Sequence, residues 1–311
     1  MHTSKAIRLL SAVIVVFAGI TSFLPAQGAP KRIVLIAGRP SHPPGMHEFR
    51  AGCLLFQKAL ANVPGITVQV YDGGWPSKTV DGSRVDDNSA FEKADAVLIY
   101  ADGREGHPMI QGDRLTVMEA LAARGVGLGF AHYGVEVPPG PPGEAMHRFA
   151  GGFYEHLFSV NPMWSPKFER FPDHPVTRGV RPFSTHDEWY FNMRWPTDPA
   201  VKARITPILV ATPSDEVRKG PYVSPKGPYD HIIADSGKPE TMMWVYERPD
   251  GGRGFGFTGG HTHATWGDPN QRKVFLNALL WIAKAEVPAN GVEDTITAED
   301  LTKNLDDKKK R

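Results

Sequence analysis

Short apolar runs alternate with amphipathic stretches through the first half of the chain. Lys31–Ala37 (KRIVLIA), Asp95–Ala101 (DAVLIYA) and Val126–Phe130 are continuous apolar runs of strand length, the pattern of strands covered on both faces. Ile66–Tyr71 (ITVQVY) alternates apolar and polar and predicts another strand, the second in chain order. Between these runs, His47–Asn62 and Asp113–Arg124 carry helical spacing. Pro64-Gly65 ends the first; Asp113 stands as N-cap and Gly125 as stop of the second. Phe91–Ala94 reads as a short helix or turn, and Gly143–Ala150 as a helical segment after a proline-rich gap.

The alternation predicts an α/β fold: an open, mostly parallel, flavodoxin-like sheet with right-handed crossovers and helices on both faces. Residues 151–204 break the rhythm with Pro, Trp, Phe and His and read as an insertion covering the sheet edge or the site. Ile205–Ala211, Met242–Tyr246 and Gly254–Thr258 predict further strands, and Gln271–Ala285 a closing helix. Residues 212–240 are rich in Pro and Gly and predict a long, partly ordered loop. From Val287 the apolar pattern stops, so residues 287–311, ending in DDKKKR, are expected to form a flexible charged tail.

Composition narrows the classes. The formal net charge of +1, with no basic stripe interleaved with aromatics, disfavours nucleic-acid binding. Lys5 and Arg8 precede the apolar run Leu9–Leu24, and Ala26-Gln27-Gly28 offers small residues for cleavage, so residues 1–28 read as a signal peptide. Cleavage is expected after Gly28, or else after Ala29; losing Lys5 and Arg8 takes the charge from +1 to −1. An uncleaved anchor is the alternative; after cleavage no stable membrane span is expected, and the protein is placed in the periplasm or outside the cell. The sole cysteine, Cys53, sits in the first helix, which excludes an intramolecular disulfide and a cysteine metal cluster.

In an open parallel sheet, ligands bind outside the carboxyl ends of the strands. Past the first strand come His42 and His47; past the third, Asp102, Arg104 and His107; past the fourth, His132 at the apex of GVGLGFAHYG; past Gly254–Thr258, His261, His263 and Trp266. His132 stands where hydrolases of this topology carry a nucleophile on a sharp elbow, and its plain alternative is a turn-capping histidine. His261-x-His263 fits two imidazoles on one divalent metal if the backbone there is extended, with His132 as a third candidate ligand; otherwise both are ordinary loop histidines. The insertion carries STHDEWYFNMRW, where Asp187 and Glu188 beside Trp189, Tyr190 and Trp195 suit a sugar site, or equally a strand with its aromatics in the core. There is no G-x-G-x-x-G between strand and helix and no P-loop, which removes the dinucleotide fingerprint and the nucleotide cradle.

Taken together, the KRIVLIAG strand with its His-containing loop, the GVGLGFAHYG turn, HPVTRGV followed by DEWY, and GRGFGFTGGHTHATW before the closing helix resemble the ThuA-like (trehalose utilization) family over about residues 31–285. The resemblance implies a class I glutamine amidotransferase-like domain over residues 30–286. It puts His132 at that fold's elbow and His261 at its histidine position, without the thiol that glutaminase chemistry requires. It also implies a part in sugar metabolism, notably of oxidised 3-keto disaccharides. Two functions follow. The first is an exported enzyme acting on a sugar or keto-sugar glycoside, with His132, His261 and Glu188 as acid/base or ligand groups. His42, His47, Arg104, Asp187, Trp189, Tyr190, His263 and Trp266 would bind the substrate. The second is a non-catalytic carbohydrate-binding module using Trp189, Trp195 and Trp266.

Overall fold

A computed structural model describes residues 29–308; the leader expected at 1–28 and the last three residues lie outside it. β1 (Lys31–Ala37), β2 (Ile66–Tyr71), β3 (Ala96–Tyr100), β4 (Gly127–Ala131), β5 (Ile205–Ala211), β6 (Glu240–Glu247) and β7 (Arg253–Phe257) make one sheet in the order β2-β1-β3-β4-β7-β6-β5. The first five strands in that order are parallel; β6 runs antiparallel to both its neighbours. The order reverses between β1 and β3, which leaves a crevice at their carboxyl ends.

Strand alternation sorts the core into two layers. Ile33, Leu35, Leu98 and Tyr100 face α1 (Phe49–Leu60) and the closing helix, while Val34, Ile36, Val97 and Ile99 face α2 (Arg114–Ala123) and α3 (Pro141–Phe149). In α1 the buried residues Phe49, Gly52, Cys53, Phe56, Ala59 and Leu60 repeat at helical spacing. The closing helix, α4 (Pro269–Ile282), starts two residues before its apolar pattern because Asp268 accepts from the backbone N–H groups of Asn270 and Gln271. Asp113 precedes α2 but makes no side-chain cap.

Three segments depart from the sequence pattern. A hairpin, Ser77–Val80 with Ser83–Asp86, has almost no buried position and so left no apolar alternation to read. Residues 212–240 hold two helical turns, Asp215–Lys219 and Asp230–Ile233. They are tied by the buried Arg218, which donates to Glu240 (3.1 Å) and to the Lys238 carbonyl (2.6 Å). The expectation of a flexible tail is corrected over residues 287–308. Val287 and Val292 are buried, Asn277 accepts from the Val292 N–H, and Arg272 makes a two-pronged pair with Asp294. Sparse single anchors at long intervals give no periodicity, which is why the pattern suggests solvent.

The insertion packs over the β7–β6 side of the sheet, with Phe168, Trp189 and Phe191 joining one core layer and Phe153, Tyr154 and Tyr190 the other. No helix among the described residues is long and apolar enough to cross a membrane. Cys53 is fully buried in α1, and burial pushes its thiol far up. A thiol-specific reagent should therefore leave the folded protein unlabelled and react in step with denaturant unfolding; rapid labelling under native conditions would displace Cys53 from the core.

Candidate functional site

The crevice holds three histidines from three strand exits. β4 ends at Ala131, and the chain turns at once through a 3-10 turn, His132–Val135, with His132 at φ +50°. The turn is tight enough that a Cβ on Gly134 would sit 2.8 Å from the Ile99 carbonyl oxygen. His47, in the loop after β1, is also left-handed at φ +48°. His261 lies in the loop after β7, whose backbone is gripped by the buried Asp187: its carboxylate accepts from Gly260 N–H (2.7 Å), Thr262 N–H (2.9 Å) and the Thr265 hydroxyl (3.2 Å).

The rings converge. His132 Nε2 is 3.0 Å from His47 Nε2 and 3.2 Å from His261 Nδ1, and the last two are 2.9 Å apart. Glu188 Oε2 lies 2.9 Å from His261 Nδ1, and the Tyr190 hydroxyl 3.0 Å from His132 Nε2. Outer partners fix the rings. His132 Nδ1–H donates to the Thr258 carbonyl at 3.0 Å, and His47 Nδ1–H to Asp102 Oδ1 at 3.0 Å. Since a carbonyl and a carboxylate only accept, both protons sit on Nδ1 and both Nε2 atoms present lone pairs to the centre. Asn161 donates to the other Glu188 oxygen at 2.7 Å.

Burial, then the neighbouring imidazoles, push His132 well below the ordinary histidine range; burial, then His42, His261 and Lys308, do the same to His47. Both rings are therefore neutral at pH 7. Two neutral lone pairs at 3.0 Å cannot bond to each other; the Tyr190 hydroxyl and His261 Nδ1–H are within donating distance of them, and a cation between them would satisfy both at once. Nitrogens held about 2.1 Å from one divalent ion stand about 3.0–3.4 Å apart at adjacent octahedral or tetrahedral positions, the spacing found here. His47, His132 and His261, with Glu188 beside them, fit such an ion.

A cavity of about 160 Å³ opens beside the cluster, walled by His42, His47, Arg104, Glu136, Glu188 and Tyr190. Across it, Arg104 Nε donates to Glu136 Oε1 at 2.6 Å. Burial outweighs the pull of Arg104 and raises the Glu136 carboxyl to about 7. A wider cavity, about 580 Å³, lies beyond Asp102 between Arg39, Trp75, Arg84 and Gln111. It is lined by Arg39, Arg84, Arg114, Asp86 and Asp102, whereas the histidine cluster and Glu136 border the smaller one.

The structure brings together His47, His132, His261, Glu188, Tyr190, His42 and Arg104. It does not bring in His263, Trp189 or Trp266. The chain leaves extended backbone at Thr262 and turns into a 3-10 segment, His263–Gly267, so His263 does not share a face with His261. His263 is buried, with neither ring nitrogen paired among the described residues, and is corrected as a metal candidate. Trp189 is fully buried over Gly259, between Phe168 and Phe257; Trp266 is fully buried among Phe56, Phe257 and Phe275. Trp195 packs edge-on against Trp244. Trp189 and Trp266 offer no free face for a sugar ring, and the half-buried Trp195 does not line the cavity beside the histidines. Asp187 holds the loop rather than a ligand. Glu136 and Asn161 escaped the sequence reading; Glu136, four residues past the elbow apex, was within reach of the strand-exit argument, whereas Asn161 carries no local signal.

Fold and site together define an open-sheet α/β protein with a polyhistidine crevice at its strand exits. The chain belongs to the ThuA family, described as trehalose utilisation, whose profile matches residues 77–282. It is similar to solved ThuA-like proteins from Bacteroides uniformis (15% identity, TM-score 0.56, covering 83% of this chain and 95% of that one) and from Parabacteroides merdae (15%, 0.53, 88% and 99%). A weaker likeness, at 9% identity and a TM-score of 0.41, is to a glutamine amidotransferase from Thermotoga maritima, covering 82% of this chain and 99% of that one. No curated protein matches in sequence.

Buried histidines make the fold sensitive to acid. Burial lowers His107 and His263 to about 4. Below pH 6.5 the unfolded chain takes up protons that these rings refuse in the folded state, so stability falls with pH across the window from about 6.5 to 4. Urea midpoints of metal-free protein should drop steadily over that window, and His107→Gln should flatten the slope. A midpoint independent of pH there would mean that these rings are hydrated.

Proposed function

We propose that the chain is a carbohydrate-active enzyme in which His47, His132, His261 and Glu188 hold a divalent first-row metal ion beside a cavity that receives one sugar ring. The observation that carries this reading is the meeting of the His47 and His132 Nε2 lone pairs at 3.0 Å, with each tautomer fixed from outside by Asp102 or the Thr258 carbonyl. Three imidazoles with one carboxylate suit zinc, iron or a similar ion better than magnesium or calcium.

When bound, such an ion supplies Lewis acidity toward a carbonyl or hydroxyl oxygen of the ligand. Glu136, near neutrality at about 7, takes or gives a proton across the cavity, and Arg104 holds its carboxyl in place. These parts suit a keto-sugar glycoside, whose C–H beside the carbonyl is acidic enough for a general base near neutral pH. The cavity, about 160 Å³, equals roughly five waters at about 30 Å³ each, the scale of a single ring. The family's description as trehalose utilisation supports a sugar substrate. The burial of Trp189 and Trp266 weighs against the binding-module alternative, which keeps only the half-buried Trp195. Glutaminase chemistry is excluded from this reading because the only thiol is buried in α1. The leader at 1–28 supports export, so the mature protein should begin at Ala29 or Pro30; terminal sequencing of exported protein decides it.

The test is elemental analysis and zinc or manganese titration of purified protein. The wild type should bind one equivalent, and His47→Ala, His132→Ala and His261→Ala should each abolish it. Asp102→Ala should weaken affinity about 10–100-fold. Glu136→Gln should keep the metal and slow turnover of a 3-keto-glycoside by about 10²–10⁴-fold. A wild type that takes up neither ion would sink the reading.

A further inference from the structure

We infer that the C-terminal segment 305–308 is a strap that positions His47 for metal binding, with Lys308 as its positioning residue; the inference rests on the metal reading above. His47 is hard to hold. Its φ of +48° is a conformation that residues with a Cβ adopt uncommonly, and its ring must meet two other imidazoles to within a few tenths of an ångström. Its ring is fixed by Asp102 and its N–H donates to the His261 carbonyl at 2.9 Å. What remains is the carbonyl side of the turn, and the strap takes it.

The Lys308 ammonium, 5% exposed, donates to the carbonyls of Met46 (2.5 Å) and His47 (3.2 Å) and pairs with Glu48 Oε1 (3.2 Å). Those three partners are consecutive residues around the ligand. The Glu48 carboxylate is itself the hub of the loop, accepting from Gly45 N–H at 2.9 Å and from Asp306 N–H at 2.8 Å. Lys308 therefore locks a clamp that ties residues 45–48 to one another and to the strap.

The strap adds little else. Leu305 is 42% exposed and Asp307 is exposed, so the segment buries no large apolar side chain. The tail before it is anchored independently, by Asp300 to Lys58 (2.6 Å) and by the Asn304 carbonyl to Arg50 (3.0 Å). A segment whose hydrogen bonds and ion pairs outside itself go to residues 46–48, with no fully buried apolar side chain, is built to set geometry rather than to add core.

The experiment is chelator-competition measurement of zinc affinity, with melting temperature recorded for each protein. Lys308→Met removes the three donors. A chain ending at Asn304 removes the whole strap and opens Glu48 to water, so it avoids leaving a buried unpaired carboxylate. Both should bind zinc about 10–100-fold more weakly than wild type, and Lys308→Arg should recover part of the loss. Lys58→Ala, which breaks the neighbouring anchor without touching residues 45–48, should lower the melting temperature and leave affinity unchanged. Wild-type affinity in either folded strap variant, an equal loss in Lys58→Ala, or unfolding of both strap variants would overturn the positioning role. A wild type that binds no zinc or manganese would instead overturn the metal reading and this inference with it.

Discussion

Two imidazole nitrogens whose lone pairs face each other at 3.0 Å repel unless something positive lies between them, and the rest of the crevice is arranged around that repulsion. Asp102 and the Thr258 carbonyl set the tautomers that create it; any rotation to relieve it would strand a buried N–H. Glu188 adds negative charge on the His261 side, and Asn161 keeps that carboxylate oriented. Outer hydrogen bonds that point bare nitrogens inward favour a positive charge or a hydrogen-bond donor at the centre of the cluster.

The strain needed for this is visible in the backbone. His42, His47, Arg104 and His132 are all left-handed, and all four border the cluster or its cavity. Such residues cost of order 1–3 kcal/mol each and persist only where the surroundings over-determine them. Here the sheet supplies the rigid frame, because β1, β3 and β4 are fully buried over most of their length. The loops that follow inherit that rigidity through short links: Gly38 N–H to the Tyr100 carbonyl, and Arg104 N–H to the Glu136 carbonyl.

The strands were legible because a strand buried on both faces must be apolar throughout, and that pattern survives without context. The site was legible as a place, since strand exits are fixed by topology, but not as a membership. Whether His47 or His263 joins His261 depends on where the loop leaves extended backbone, and the break at Thr262 has no mark in composition. The aromatics of the insertion were legible as large residues only. Their burial depends on Gly259 and Phe257 lying beneath Trp189, which is long-range information. The tail was the hardest to read, because contacts such as Lys308 to Glu48 are single and far apart in sequence.

The elbow shows what a fold carries from one chemistry to another. A left-handed residue past a central parallel strand is pushed into the crevice whatever its side chain, and this is why a nucleophile placed there is exposed to substrate. Histidine at the same spot inherits the exposure but cannot form the thioester or ester that a thiol or hydroxyl would. What the position gives it instead is an inward lone pair, set beside the nitrogens of His47 and His261. His261 reaches it from the neighbouring exit of β7, and His47 from the exit of β1, two strands away on the other side. A cluster of imidazoles makes a different demand on the site from a nucleophile: several atoms held at fixed mutual distances rather than one activated atom. That demand accounts for the Asp187 grip on the His261 loop, and for the clamp of Glu48 and Lys308 on the loop of His47.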